Sequence, residues 1–273
     1  MKIQFQNDWV TIFESALYQT TSTVIQHPNF VLIVDPNWLP IEIEAIQNFV
    51  KKIQNSRPIY LLFTHSDYDH IIGYQAFPNA KIIASKAFQE QPQKDKIIQQ
   101  ILDFDDENYI TRSYPIEFPK VDIITSVDQE KIMIEGVEFV FYQALGHNDD
   151  GIFTIIPSLN IFLCGDYLCD VEFPFIYLSG LEYLETLKKA DQIINQYELE
   201  FLIAGHGNFS KTKSGMLTRV NDSKKYIEDL IFSIKNNSTF DLDSFLEKYN
   251  YPKGMRSSHF KNIEILRNEL PSN

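Results

Sequence analysis

Apolar positions along the chain follow two rhythms, short unbroken runs and stripes spaced by three and four, and their alternation predicts the elements. Val31 to Val34 is a continuous apolar run, as in a strand covered on both faces, and Asp35-Pro36 stops it. Ile43, Ile46, Phe49, Val50 and Ile53 then recur at helical spacing and predict an amphipathic helix. Ile59 to Phe63 reads as a second buried strand, and Thr64, His65, Ser66, Asp67, Tyr68, Asp69 and His70 stand directly at its C-terminal end.

After a strand over Lys81 to Ala84, residues 86–120 turn polar and read as an insertion, with a helical pattern at Ile97, Ile98, Ile101 and Leu102. The middle of the chain is β-rich. Val137, Phe139 and Phe141 alternate incompletely with their neighbours, and Ile152 to Ile156 and Ile161 to Cys164 are further apolar runs. Ser179 to Glu182 has the form of a capping box, and Leu181, Leu184 and Leu187 carry it on as a helix. Leu199 to Ala204 then delivers Gly205, His206 and Gly207. Residues 211–273 read as a helical extension, with Tyr226, Ile227, Leu230, Ile231 and Ile234 on one face. No repeat or Gly/Ser linker interrupts this order, so one domain over 1–273 is expected, an α+β fold of two sheets packed together with helices outside.

Composition narrows the function. The chain has 273 residues, 44% of them hydrophobic, which suffices for a substantial core. The net charge of −13, with 24 Lys and Arg residues in no basic block, argues against a nucleic-acid partner and leaves a small-molecule substrate as the expected one. No leader-like start and no run of membrane-spanning length is seen, so a cytoplasmic protein off the membrane is expected. Cys164 and Cys169 are the only cysteines and read as small core residues.

Four of the six histidines sit at the ends of predicted strands beside carboxylates or glycines. Loops at strand ends project side chains into a shared cleft, and imidazole with carboxylate is a ligand set for zinc, iron or manganese. His65, Asp67, Asp69 and His70 cannot share one face of a helix, whose successive residues diverge by about 100 degrees, whereas a tight turn can gather them. Gly146-His147, Gly165-Asp166 and Gly205-His206-Gly207 place further donors next to glycine, where the backbone is expected to approach a metal closely. Any one such residue is more often a turn or cap residue; five strand-end clusters together point to metal. His27 and His259 lie outside these turns and are expected at the surface. Asp170 reads as a cap; most of Tyr68, Tyr167, Phe173, Phe175 and Tyr177 read as core, with a place in a substrate pocket as the other reading.

In order and spacing these residues resemble the metallo-β-lactamase superfamily over roughly residues 1–210, whose members carry HxHxDH after a buried strand, then Gly-His, Gly-Asp and a final Gly-His. The resemblance implies a four-layer αββα sandwich and two divalent metal ions, zinc first, with iron or manganese as alternatives. It implies His65 and His147 at one metal, Asp69, His70 and His206 at the other, Asp166 bridging, and Asp35 supporting the loop from behind. It further implies a hydrolase in which a metal-bridging hydroxide attacks an ester, lactone, thioester, amide or phosphoester centre, with Asp69 also orienting that nucleophile.

Here the second histidine of the motif is Asp67, so the chain reads HxDxDH. A carboxylate in place of an imidazole adds charge and a hard oxygen donor, which moves metal preference away from zinc alone. The diiron flavoprotein branch of the same superfamily carries Glu there. A diiron redox enzyme is therefore a second expectation, with its electron donor on a separate protein because no flavin-binding pattern follows the metal motifs. A metal-dependent ligand-binding protein without activity is a third.

Overall fold

The computed structural model describes residues 1–271; the last two residues of the expected C-terminal extension lie outside the described residues. By contacts the chain divides into two compact units, Met1–Tyr142 and Gln143–Asn273. It forms two mixed β-sheets, one of seven strands and one of five, with helices, the fold class expected from the sequence.

In the first unit, β1 (Lys2–Gln6), β2 (Val10–Glu14), β3 (Thr21–Gln26) and β4 (Val31–Val34) form an antiparallel meander. Helix α1 (Pro40–Ile53) then crosses over to β5 (Ile59–Leu62), which pairs parallel with β4. The short helix α2 (Tyr68–Ile71) leads to β6 (Lys81–Ser85). Helices α3 (Lys86–Gln89) and α4 (Lys94–Glu107) precede β7 (Ile123–Thr125), the last strand of the seven. Ile43, Ile46 and Val50 of the predicted stripe are buried in the same core as Val31, Ile33, Leu61 and Phe63. The hairpin of β8 (Glu130–Ile134) and β9 (Val137–Gln143) closes the unit.

The polar stretch 86–120 is built into this unit. Arg112 grips Asp105 through two nitrogens at 2.8 Å each and donates to the Trp38 carbonyl at 2.8 Å. Phe104 packs on Trp38, and Trp38 meets the Tyr68 ring edge-on. This stretch thus braces the aromatic pair behind the turn that carries Asp67 and Asp69.

In the second unit, β10 (Ile152–Ile156) runs antiparallel to β11 (Ile161–Leu163), and β12 (Phe201–Ile203) adds parallel to β11. Between β11 and β12 lies α5 (Gly180–Gln196), whose Ser179 cap accepts from the Glu182 amide at 3.1 Å. The extension folds as α6 (Lys213–Lys235), α7 (Leu242–Leu246) and α8 (Met255–Glu269). Among the described residues no helix is long and apolar enough to cross a membrane.

One expectation needs correcting. His259 is not at the surface: it is 2% exposed, among Tyr226, Phe240 and Phe173, with Nδ1 3.1 Å from the Tyr226 hydroxyl. A histidine near the end of a sequence reads as solvated because the aromatic residues that cover it lie about one or two helices away in the chain. His27 is half-buried and stacked on Phe30.

Burial holds the His259 pKa down at about 4, against 6.5 for a free imidazole. Between those values the unfolded chain binds a proton that the folded one refuses, so this group's contribution to stability is present above pH 6.5 and is lost as pH falls towards about 4. Urea unfolding between about pH 7 and about pH 4.5 is expected to show a shallower loss of stability for His259→Phe than for the wild type. Equal slopes would mean that His259 is already protonated in the fold.

Candidate functional site

Two pairs of adjacent parallel strands end where chemistry-bearing residues begin. In the first unit the register pairs Val34 with Leu62, so Asp35 leaves β4 beside the chain leaving β5, and the Asp35 amide donates to the Leu62 carbonyl at 3.1 Å. The buried Asp35 carboxylate accepts from the Thr64 amide at 2.9 Å, the Thr64 hydroxyl at 2.6 Å and His70 Nδ1 at 3.0 Å. With three donors on it, the Asp35 carboxylate ties the start of the motif turn to its last histidine.

These bonds also decide ring tautomers. The single Thr64 hydroxyl proton goes to Asp35, so the 3.0 Å contact between Thr64 Oγ1 and His65 Nδ1 has the histidine donating. His70 Nδ1 likewise donates to Asp35. In both rings the lone pair therefore resides on Nε2. His65 Nε2 lies 3.6 Å from Asp67 Oδ2, and His70 Nε2 lies 3.6 Å from Asp69 Oδ2. Both rings are buried while the two carboxylates are the more exposed members, 29% for Asp67 and 13% for Asp69. A single turn does gather them: Asp67 caps α2, and its carbonyl accepts from the His70 amide at 2.9 Å.

In the second unit Leu163 of β11 faces Ile203 of β12, and three residues beyond each stand Asp166 and His206. Equal offsets from an in-register pair bring these side chains together, with His206 Nε2 3.3 Å from Asp166 Oδ2. His147 follows β9 and sets its Nε2 3.6 Å from the same oxygen. Its Nδ1 lies 2.7 Å from the Phe175 carbonyl, which can only accept, so this ring too carries its lone pair on Nε2. The Tyr167 hydroxyl accepts from the His147 amide at 2.9 Å and donates to the Leu145 carbonyl at 2.7 Å, pinning the backbone.

The glycines beside these histidines have a purpose other than the one expected. Gly146 sits at φ +118°, and a Cβ there would lie 2.3 Å from the Tyr183 amide nitrogen of α5. At Gly207, φ +83°, a Cβ would lie 2.1 Å from Asp170 Oδ1. The missing side chains make room for a helix and for a carboxylate within the second unit. Asp170 accepts from the Asn208 amide at 2.8 Å and from Arg219 at 3.1 Å, which fixes the loop after His206. Tyr167 and Phe173 are core residues, Cys164 is buried and Cys169 partly so, whereas Tyr177 is 48% exposed with its ring centre 5.0 Å from that of His147.

The donor set passes a simple geometric test for a cation. Ligands about 2.0–2.2 Å from a tetrahedral zinc stand about 3.3–3.6 Å apart, longer than a hydrogen bond. The four imidazole–carboxylate separations, two in each unit, run from 3.3 to 3.6 Å. Three of the four imidazoles have Nδ1 tied to oxygen and Nε2 facing a carboxylate, the arrangement that a metal-ligating histidine needs. Glu172 joins them, since one oxygen of it lies within 4.8 Å of ligand atoms of Asp166 and His206. It stands in an irregular stretch six residues after Asp166, where neither periodicity nor a neighbouring glycine marks it.

The sequence model of the metallo-beta-lactamase superfamily matches residues 16–210. Among solved structures, a metallo-beta-lactamase family protein from Thermus thermophilus is 15% identical, with 95% of this chain and 93% of that one covered at a TM-score of 0.66. The stereoselective inverting sec-alkylsulfatase from a Pseudomonas species is 13% identical at a TM-score of 0.66; the match covers 97% of this chain but only 49% of the sulfatase, so the chain spans about half its length. A B3 metallo-beta-lactamase is 16% identical, covering 77% and 96% at a TM-score of 0.56. No curated protein sequence matches the chain.

Replacing Asp35 by Ala strands three donors inside the first unit. The expected loss of unfolding free energy in urea is about 3 kcal/mol. A loss below about 1 kcal/mol would show that other contacts hold the turn.

Proposed function

The chain belongs to the metallo-β-lactamase superfamily, and on that premise we propose that it is a hydrolase that works with two divalent cations. The observation that carries the reading is the set of Nε2–carboxylate separations of 3.3–3.6 Å, each matched to the edge of a metal coordination sphere. Following the family order, we assign His65, Asp67 and His147 to one cation, Asp69, His70 and His206 to the other, and Asp166 to both. Zinc suits the imidazoles, and the carboxylates of Asp67 and Glu172 extend the choice to manganese or iron.

Cations held there supply Lewis acidity, lowering the pKa of a coordinated water towards neutrality and offsetting negative charge that builds on the scissile centre. The protein's own residues do the rest. Asp35, Thr64 and the Phe175 carbonyl keep three imidazoles in the Nδ1-protonated form, so no ring needs to reorient. Asp69, next to His70 and partly exposed, orients the attacking water and takes its proton at a carboxylate oxygen. Tyr177, exposed beside His147, flanks the substrate. The bond cleaved is an ester, lactone, thioester, amide or phosphoester. Asp67, an oxygen donor beside His65, favours one further reading, a diiron redox enzyme.

Elemental analysis is expected to find up to two transition-metal ions per chain in the wild type. His70→Ala and His206→Ala should each empty one site and His147→Ala the other, with hydrolysis of an ester, lactone, thioester and phosphodiester panel falling in parallel. Unchanged metal content in all three variants refutes the assignment. Iron in both sites with no hydrolysis of any substrate in the panel supports the redox reading instead.

Asp67 is tested separately. Asp67→Ala should lower occupancy of the His65 site, and Asp67→His should raise its preference for zinc over manganese, since an imidazole replaces a hard anionic oxygen. Anomalous scattering at each metal's absorption edge reads both. Equal occupancy in Asp67→Ala and wild type excludes Asp67 as a ligand.

A further inference from the structure

The Phe175 carbonyl that fixes His147 belongs to a peptide group held from its other side. A trans peptide is planar and points its C=O and its N–H in opposite directions. The Phe175–Ile176 peptide turns its oxygen to His147 Nδ1 at 2.7 Å and its N–H to Asn262 Oδ1 at 2.9 Å. Asn262 belongs to α8, more than fifty residues beyond the family match, which ends at residue 210.

Asn262 is itself immobilised. It is 1% exposed, and its Nδ2 donates to the Pro174 carbonyl at 2.7 Å and to the Tyr226 hydroxyl at 3.1 Å. Those two bonds use both amide protons, so the side-chain oxygen must face Ile176. The Tyr226 oxygen, which takes one Asn262 proton, also lies 3.1 Å from His259 Nδ1. Asn262, the Phe175–Ile176 peptide and His147 are thus each oriented by a bonded neighbour.

We propose that Asn262 is a positioning residue for His147: through the Phe175–Ile176 peptide it holds the imidazole in the Nδ1-protonated form with Nε2 towards Asp166. The metal-binding consequence rests on the hydrolase reading above, but the orientation of the ring does not. Bonds in such a chain polarise one another, so loss of the Asn262 acceptor weakens the bond to His147 as well as freeing the peptide to turn. The α6–α8 extension accordingly contributes to the metal-binding half of its own unit.

The test uses the full chain labelled with ¹⁵N-histidine, first stripped of metal with a chelator and then titrated with zinc alone. In metal-free wild type, His147, assigned by comparison with His147→Gln, should show a single Nδ1-protonated tautomer, and the Ile176 amide should be protected from hydrogen exchange. Absence of either overturns the proposal without recourse to any variant at position 262. Asn262→Ala should give a mixed His147 tautomer and about tenfold weaker zinc binding, the usual range for loss of an outer-shell partner. Asn262→Asp, which keeps an oxygen for the Ile176 amide, should restore the tautomer. Leu266→Ala, at a fully buried position of the same helix outside this chain of bonds, should lower the melting temperature yet leave the His147 signal and zinc affinity within about twofold of wild type, which separates positioning from general stability. A folded Asn262→Ala with a wild-type His147 signal refutes the proposal; a wild type that binds no zinc refutes the metal reading and leaves the tautomer measurement to decide this one.

Discussion

Register between parallel strands is the constraint on which the site depends. In β11 and β12 the pairing of Leu163 with Ile203 leaves Asp166 and His206 equally far beyond the sheet, and a slip of one residue would send one of them to the opposite face. The pairing of Val34 with Leu62 likewise sets Asp35 beside the chain that runs on from β5 to Thr64. Both pairs are apolar and buried, so hydrophobic burial, which is non-directional, fixes directional chemistry by way of the hydrogen-bond ladder. Strand ends are where a rigid scaffold can present polar groups without burying unpaired backbone.

Beyond the strand ends, polarity is arranged in two layers. Nearest the imidazole Nε2 atoms of each unit stand carboxylates, Asp67 and Asp69 in the first and Asp166 in the second. Behind the rings stand groups that only accept or are already committed: the Asp35 carboxylate, the Thr64 hydroxyl and the Phe175 carbonyl. The rear layer decides where each ring proton sits, and so where each lone pair points. Aromatic packing supports both layers, with Trp38 and Phe104 in the first unit and Tyr167 and Tyr183 in the second.

Much of this was legible in the sequence. Strands such as Val31–Val34 and Ile59–Leu62 are continuous apolar runs bounded by turn residues, and the donors follow them directly, so local pattern sufficed for the turns and for the family resemblance. Asp35 was readable through that resemblance alone, and the structure adds the reason, since it ends the strand that pairs with the motif strand. Illegible were the relations carried by separation in the chain. Asn262 and Ile176 stand 86 positions apart and Tyr226 and His259 stand 33 apart, and nothing in the local pattern of either helix marks a buried polar contact. The glycines were read for the right conformational freedom and the wrong neighbour: what approaches Gly146 is Tyr183 of α5, which only the tertiary structure shows. Glu172 lacks any periodic context at all.

The same long reach gives the two units different folding problems. The seven-stranded sheet is assembled largely from neighbours in sequence, hairpins and one-helix crossovers that close short loops. In the second unit, Glu269 at the end of α8 accepts from the Gly180 amide at the start of α5 at 2.9 Å, a separation of 89 residues, and Asn262 spans 88 to Pro174. Closing loops of that length carries an entropic cost that must be met before the contacts reward it, and ordering by such contacts is correspondingly slow. The orientation of His147 therefore depends on a contact 86 residues long, whereas the turn of the first unit is tied to Asp35 within 35 residues.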